Sequence, residues 1–89
     1  MLQKQLGQRI AELRRHRRLT QVQLAKLLGC SVEFISLVER GVNAPSVARL
    51  DDFARVLKVE VVDLFKFVGR KPTRMRRIRI DKRGAWAAT

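Results

Sequence analysis

A single cysteine in 89 residues excludes an intramolecular disulfide, and the single histidine beside it leaves no Cys/His set to hold zinc. Acidic side chains are scarce: 8 Asp plus Glu face 20 Lys plus Arg, for a formal charge of +12. Such an excess draws the chain toward polyanions, of which nucleic acid is the leading candidate. No uninterrupted apolar run reaches the length of a membrane span or a signal-peptide core, so a cytoplasmic domain with no membrane partner is expected. There is no Ser/His/Asp set, Gly-rich phosphate loop or metal cluster, which argues against an enzyme, and nothing calls for a cofactor. A chain this short forms one small domain with little room for a deep cleft. Hydrophobic residues at 46% still suffice for a core.

The charge is unevenly placed. Residues 1–69 carry 12 basic and 7 acidic side chains, whereas residues 70–89 carry 8 basic against Asp81 alone. Gly69 and Pro72 mark the junction, one loosening the backbone and the other unable to continue a helix. The expected division is a globular domain over 1–68 and a basic C-terminal tail over 69–89.

Helical periodicity runs through the first part. Leu2, Leu6, Ile10 and Leu13 make one apolar stripe on a first helix, whose basic end (Arg14, Arg15, Arg17, Arg18) also suits the helix dipole. Thr20-Gln21-Val22-Gln23 reads as a capping box opening a second helix, with Leu24, Leu27 and Leu28 as its buried face and Gly29 as its stop. Ser31 caps a third helix that carries Glu33 in its first turn, turns Ile35 and Val38 inward and closes at Gly41. Ser46 caps a fourth, with Leu50, Phe53, Ala54 and Leu57 on one face. A fifth short helix is expected at about residues 60–68, burying Val61, Leu64 and Phe65. The fold class is therefore all-α, five helices with a basic arm in which one short strand is an open reading.

Two helices joined by the three-residue turn Gly29-Cys30-Ser31 make a helix-turn-helix pattern. Residues 6–67 resemble the Cro/repressor-type (XRE) helix-turn-helix domains. The resemblance rests on Leu19-Thr20-Gln21, Leu24-Ala25, Leu28-Gly29, Ile35-Ser36, Glu39-Arg40-Gly41 and Pro45-Ser46, and continues through Leu50, Ala54, Leu57, Val59, Leu64 and Phe65. It implies that Ala25 lies at a close helix crossing and that the third helix enters the major groove, about 12 Å wide. Ser31, Val32, Glu33, Ser36, Leu37 and Arg40 would then face bases or flanking phosphates. Glu33 suits a cytosine amine, and Val32 and Leu37 suit thymine methyls. Arg18, Gln21 and Asn43 would hold the DNA backbone. The resemblance also pairs Arg14 with Glu39 as a structural salt bridge. The reading face lacks the Gln, Arg and Asn of strong readers, apart from Arg40.

Other residues have plainer roles. His16 reads as a solvated side chain and Cys30 as buried packing. Asp51 and Asp52 point about 100° apart on a helix, which suits a solvated face better than a metal site. Val62, Phe67 and Val68 exceed what the last helix needs for its own core, which marks a homodimer interface. Three readings of the tail stay open: an arm that tracks phosphates, a short strand around Ile78 and Ile80 pairing with a symmetry mate, or a segment that folds on a protein partner with Trp86 as anchor. The function expected is a sequence-specific transcriptional regulator, a repressor binding double-stranded DNA at an inverted repeat. The alternatives are an antitoxin whose tail wraps a partner and a non-specific architectural DNA-binding protein.

Overall fold

The computed structural model describes residues 2–67 and, of the tail, the backbone of residues 79–80 and 86–87. Four helices come first: α1 (Leu2–His16), α2 (Gln21–Leu28), α3 (Val32–Glu39) and α4 (Val47–Leu57). Each of the last three starts on a local cap. The Thr20 hydroxyl accepts the Gln23 N–H at 3.0 Å while the Gln23 side chain accepts the Thr20 N–H at 2.8 Å. Ser31 and Ser46 accept the N–H groups of Phe34 and Arg49, three residues on. Gly29 and Gly41 leave α2 and α3 at φ of 69° and 75°. Side-chain-bearing residues pay about 1–2 kcal/mol for that left-handed conformation.

The helices close around one core. Leu6, Ile10 and Leu13 of α1 meet Leu24 and Ala25 of α2, Ile35 and Val38 of α3, and Phe53, Ala54 and Leu57 of α4. Leu64 seals the base and is fully buried. Each large side chain buried here contributes about 1.5–3 kcal/mol against the entropy of ordering a small chain. Leu50 sits at the edge, half-buried against the cluster.

Some expectations are corrected. Leu2, the first member of the α1 stripe, is 60% exposed. Helix α1 last touches the rest of the chain around Gln3 and Lys4, where the Gln3 side chain donates to the Gly41 carbonyl at 2.9 Å, and Leu2 projects past that point. Leu27 is also 60% exposed, because it lies about 60° around α2 from Leu24, outside the arc that Leu24, Leu28 and Ala25 turn inward. The expected fifth helix is a five-residue 3-10 turn, Val61–Phe65. Two features hold it short: the Asp63 carboxylate accepts the Glu60 N–H at 2.9 Å, and the Asp63 carbonyl is taken by Arg9 Nε at 2.9 Å and by the Lys66 N–H at 3.3 Å. Only Leu64 is buried in it, while Val61 and Phe65 keep part of their surface in solvent.

In the tail, β1 (Arg79–Ile80) and β2 (Trp86–Ala87) pair antiparallel, Arg79 opposite Ala87 and Ile80 opposite Trp86. Of the three tail readings left open, the strand one had its partner in a symmetry mate; here β1 has its partner in the same chain. The rest of the basic arm and Val68 lie outside the described residues. No single helix among the described residues is long and apolar enough to cross a membrane.

Candidate nucleic-acid interface

Helix α3 turns 112° from α2 across Gly29, Cys30 and Ser31, within the range of helix-turn-helix corners. The corner is closed by main-chain bonds from the Gly29 N–H to the Lys26 carbonyl (3.3 Å) and from the Cys30 N–H to the Ala25 carbonyl (3.0 Å). Ala25 is buried at the crossing, and Leu24, Ile35 and Val38 fill the wedge, with Leu28 and Cys30 half-buried at its margin. From α4, Arg49 fastens the outside: its Nη1 donates to the Leu28 carbonyl at 2.9 Å, and its guanidinium stands 5.8 Å from the Phe34 ring centre.

Helix α1 holds α3 from behind. Gly7 is buried where α1 meets the last turn of α3, leaving no space for a β-carbon. Seven residues further along α1, Arg14 Nε donates to Glu39 Oε2 at 2.7 Å and Nη2 to Oε1 at 3.1 Å. The third nitrogen of the fork, Nη1, donates to the Leu19 carbonyl at 2.8 Å. The side chains of Arg14 and Glu39 are only 13% and 7% exposed, so this bidentate pair works where water screens it little. Gln21 Nε2 adds a third bond to Glu39, at 3.0 Å to Oε1. Glu39 therefore joins α1, α2 and α3 through one carboxylate.

Gln21, expected at a DNA phosphate, has one of its amide protons tied to Glu39 because that carboxylate sits within its reach, and the second N–H of the same amide is not used in that bond. The other proposed readers lie together on the outside of the corner. Ser31, Val32, Glu33 and Arg40 are exposed, with Ser36 and Leu37 half-buried between them. The Ser31 hydroxyl is engaged as the α3 cap, and Arg40 Nε folds back toward the Ser36 carbonyl at 3.4 Å. Arg18 is exposed and left-handed at φ 57°. Asn43 is exposed beyond α3, its N–H on the Leu37 carbonyl at 3.3 Å.

Several arginines are held by carbonyls of the main chain. Arg9 and Arg49 reach main-chain carbonyls, and Arg17 does the same at the end of α4, on Leu57 at 2.9 Å and Lys58 at 3.2 Å. Arg14 and Arg17, both in the basic cluster that the sequence shows, thus bond to acceptors of the protein, Arg14 half-buried and Arg17 exposed. Arg15, Arg18, Lys26 and Arg40 stay exposed. Gly7, Arg9 and Arg49 escaped the sequence reading. Only Gly7 carried a signal, a glycine inside a helical pattern.

A helix-turn-helix domain model matches residues 5–65. The immunity repressor protein of Bacillus phage phi105 is 39% identical over 56 residues, 63% of this chain and 39% of the repressor. An uncharacterized HTH-type transcriptional regulator of Bacillus subtilis (strain 168), YazB, is 40% identical over 58 residues, 65% of this chain and 84% of that protein. Among solved structures, the restriction-modification controller protein C.AhdI from Aeromonas hydrophila is similar with a TM-score of 0.67 at 35% identity, over 70% of this chain and 94% of that one. The master regulator for biofilm formation SinR, solved in complex with DNA, is similar with a TM-score of 0.63 at 32% identity, over 66% of this chain and 95% of that one. The match spans well under half the length of the phage repressor and most of the length of the other three.

Proposed function

Because the chain belongs to the helix-turn-helix family, we propose that it is a DNA-binding transcriptional repressor that lays α3 in the major groove. The observation that carries this reading is the two-sidedness of α3. Ile35 and Val38 are sealed in the core, while Val32, Glu33 and Arg40 stand exposed on a helix clamped by α1 and α4. A rigid helix with a free outer face is what groove readout requires, since a mobile reader loses affinity to ordering. The similarity to SinR, solved in complex with DNA, supports DNA as the partner. Val32 and Leu37 pack on thymine methyls, and Arg40 takes a guanine or a flanking phosphate. Arg18, Asn43, Ser31, Ser36 and the remaining amide proton of Gln21 hold the duplex backbone.

The homodimer forms through the edge beyond α4. Val62 is 62% exposed there, and Phe67 lies edge-on to the partly exposed Phe65 with ring centres 6.5 Å apart. Val68 continues this edge in sequence. Twofold symmetry then places two α3 helices about 34 Å apart on an inverted repeat.

Selection of bound duplexes from a random pool tests the proposal. The expected product is an inverted repeat with half-site centres about one duplex turn apart. A pool that stays random after repeated rounds overturns it. Sedimentation of the free protein as a monomer that also binds single half-sites overturns the dimer.

A further inference from the structure

We propose that Glu33 is a negative discriminator: it selects a cytosine in each half-site and weakens binding to every duplex that lacks one there. The inference rests on the reading that α3 enters the major groove. Most carboxylates of the domain are neutralised by the protein itself. Glu12 meets Arg9, Glu39 meets Arg14, Asp51 and Asp52 meet Arg55, and Asp63 meets Lys66. Glu33 is exposed and, among the described residues, has no ion pair and no side-chain hydrogen bond. The one cation on its own helix end, Arg40, lies two turns away and folds back on the Ser36 carbonyl.

In the free protein this carboxylate sits well, because the start of α3 favours negative charge and water solvates it. In the groove both comforts change. Phosphates lie within a Debye length of about 10 Å and repel it, while contact with bases strips its water. Only an amine on a base edge restores the balance, and the major groove has two, cytosine N4 and adenine N6. Adenine presents its N7 lone pair beside the amine, opposed to the second carboxylate oxygen. Cytosine presents the C5–H edge instead, against which the neighbouring exposed Val32 can pack. Cytosine is therefore the base that pays back the carboxylate. On any other sequence the charge stays unpaired, and this offsets the indiscriminate pull of a +12 chain.

The test compares the full-length wild type with Glu33→Gln and Glu33→Ala, using duplex selection and titration against one mixed-sequence duplex at fixed salt. Wild type should enrich cytosine at one position per half-site. Glu33→Gln should widen that position to include adenine, which a glutamine amide pairs bidentately, and bind the mixed duplex about tenfold tighter. Glu33→Ala should lose the preference there and gain mixed-duplex affinity likewise. Enrichment and mixed-duplex affinity that both variants leave within about twofold overturn the inference while leaving the groove reading intact. A wild-type pool with no enriched position overturns the groove reading and the inference with it. A purely helix-stabilising Glu33 would move the melting temperature alone.

Discussion

Gly7 of α1 lies directly against the Val38 carbonyl of α3: a β-carbon there would stand 2.2 Å from that oxygen and 2.8 Å from the Glu39 carbonyl. Both obstacles are backbone, so neither can rotate aside. Gly7→Ala should therefore destabilise the domain by about 1–3 kcal/mol, even though alanine favours an isolated helix by about 1 kcal/mol. Urea unfolding checks this, and a variant as stable as wild type would place the α1–α3 contact elsewhere.

Glu39 accepts two bonds from Arg14 and one from Gln21 in a site that water barely reaches. Glu39→Ala strands the guanidinium and should lose about 3 kcal/mol of folding stability. Glu39→Gln keeps one acceptor and should lose less. Thermal melting decides, and a melting temperature for Glu39→Ala within a degree of wild type would refute the role.

Lys58 ends α4 in the left-handed region at φ 58°, a position that glycine fills without strain. Its carbonyl, which Arg17 uses, is retained by any residue. Lys58→Gly should raise stability by up to about 1 kcal/mol. Equal or lower stability by chemical denaturation would contradict it.

Arg18 combines the same backbone conformation, at φ 57°, with an exposed charge. Arg18→Gly should fold at least as well as wild type and weaken binding to all duplexes alike, lowering the salt-dependence slope by about one. Leu37→Ala should instead change which base is preferred. The opposite pattern would show the reading face to lie elsewhere.

The Asp63 carboxyl is held below its ordinary value, first by the hydrogen bond from Lys66 and then by the Glu60 N–H. A carboxyl that protonates later in the folded state stabilises above the unfolded value, near pH 4, and loses this as pH falls through the lowered one. Asp63→Asn should thus melt below wild type at neutral pH, with the gap closing in acid. A gap constant from about pH 7 to about pH 3 would exclude the charge as its source.

The caps at Thr20, Ser31 and Ser46, the turn at Gly29 and the inward residues Ile35, Val38 and Phe53 were legible in sequence. Leu27 and Leu2 were not, because periodicity marks an apolar stripe without saying how far the neighbouring helix extends over it. Gln21 gave no local sign of its bond to Glu39, for a related reason. Its neighbour Glu39 is 18 residues away, so only the folded chain shows that its amide is already engaged.

By itself the sequence determined where helices begin and turn, since a hydroxyl cap or a left-handed glycine acts on groups within about four residues. It also determined that Val32 and Glu33 open α3 and that Arg40 follows its last turn. Tertiary structure alone decided which arginines reach carbonyls far along the chain. The carbonyls that Arg9, Arg17 and Arg49 meet lie 54, 40 and 21 residues from them. A long flexible cation takes whichever unsatisfied oxygen packing brings near, and no local pattern records that choice.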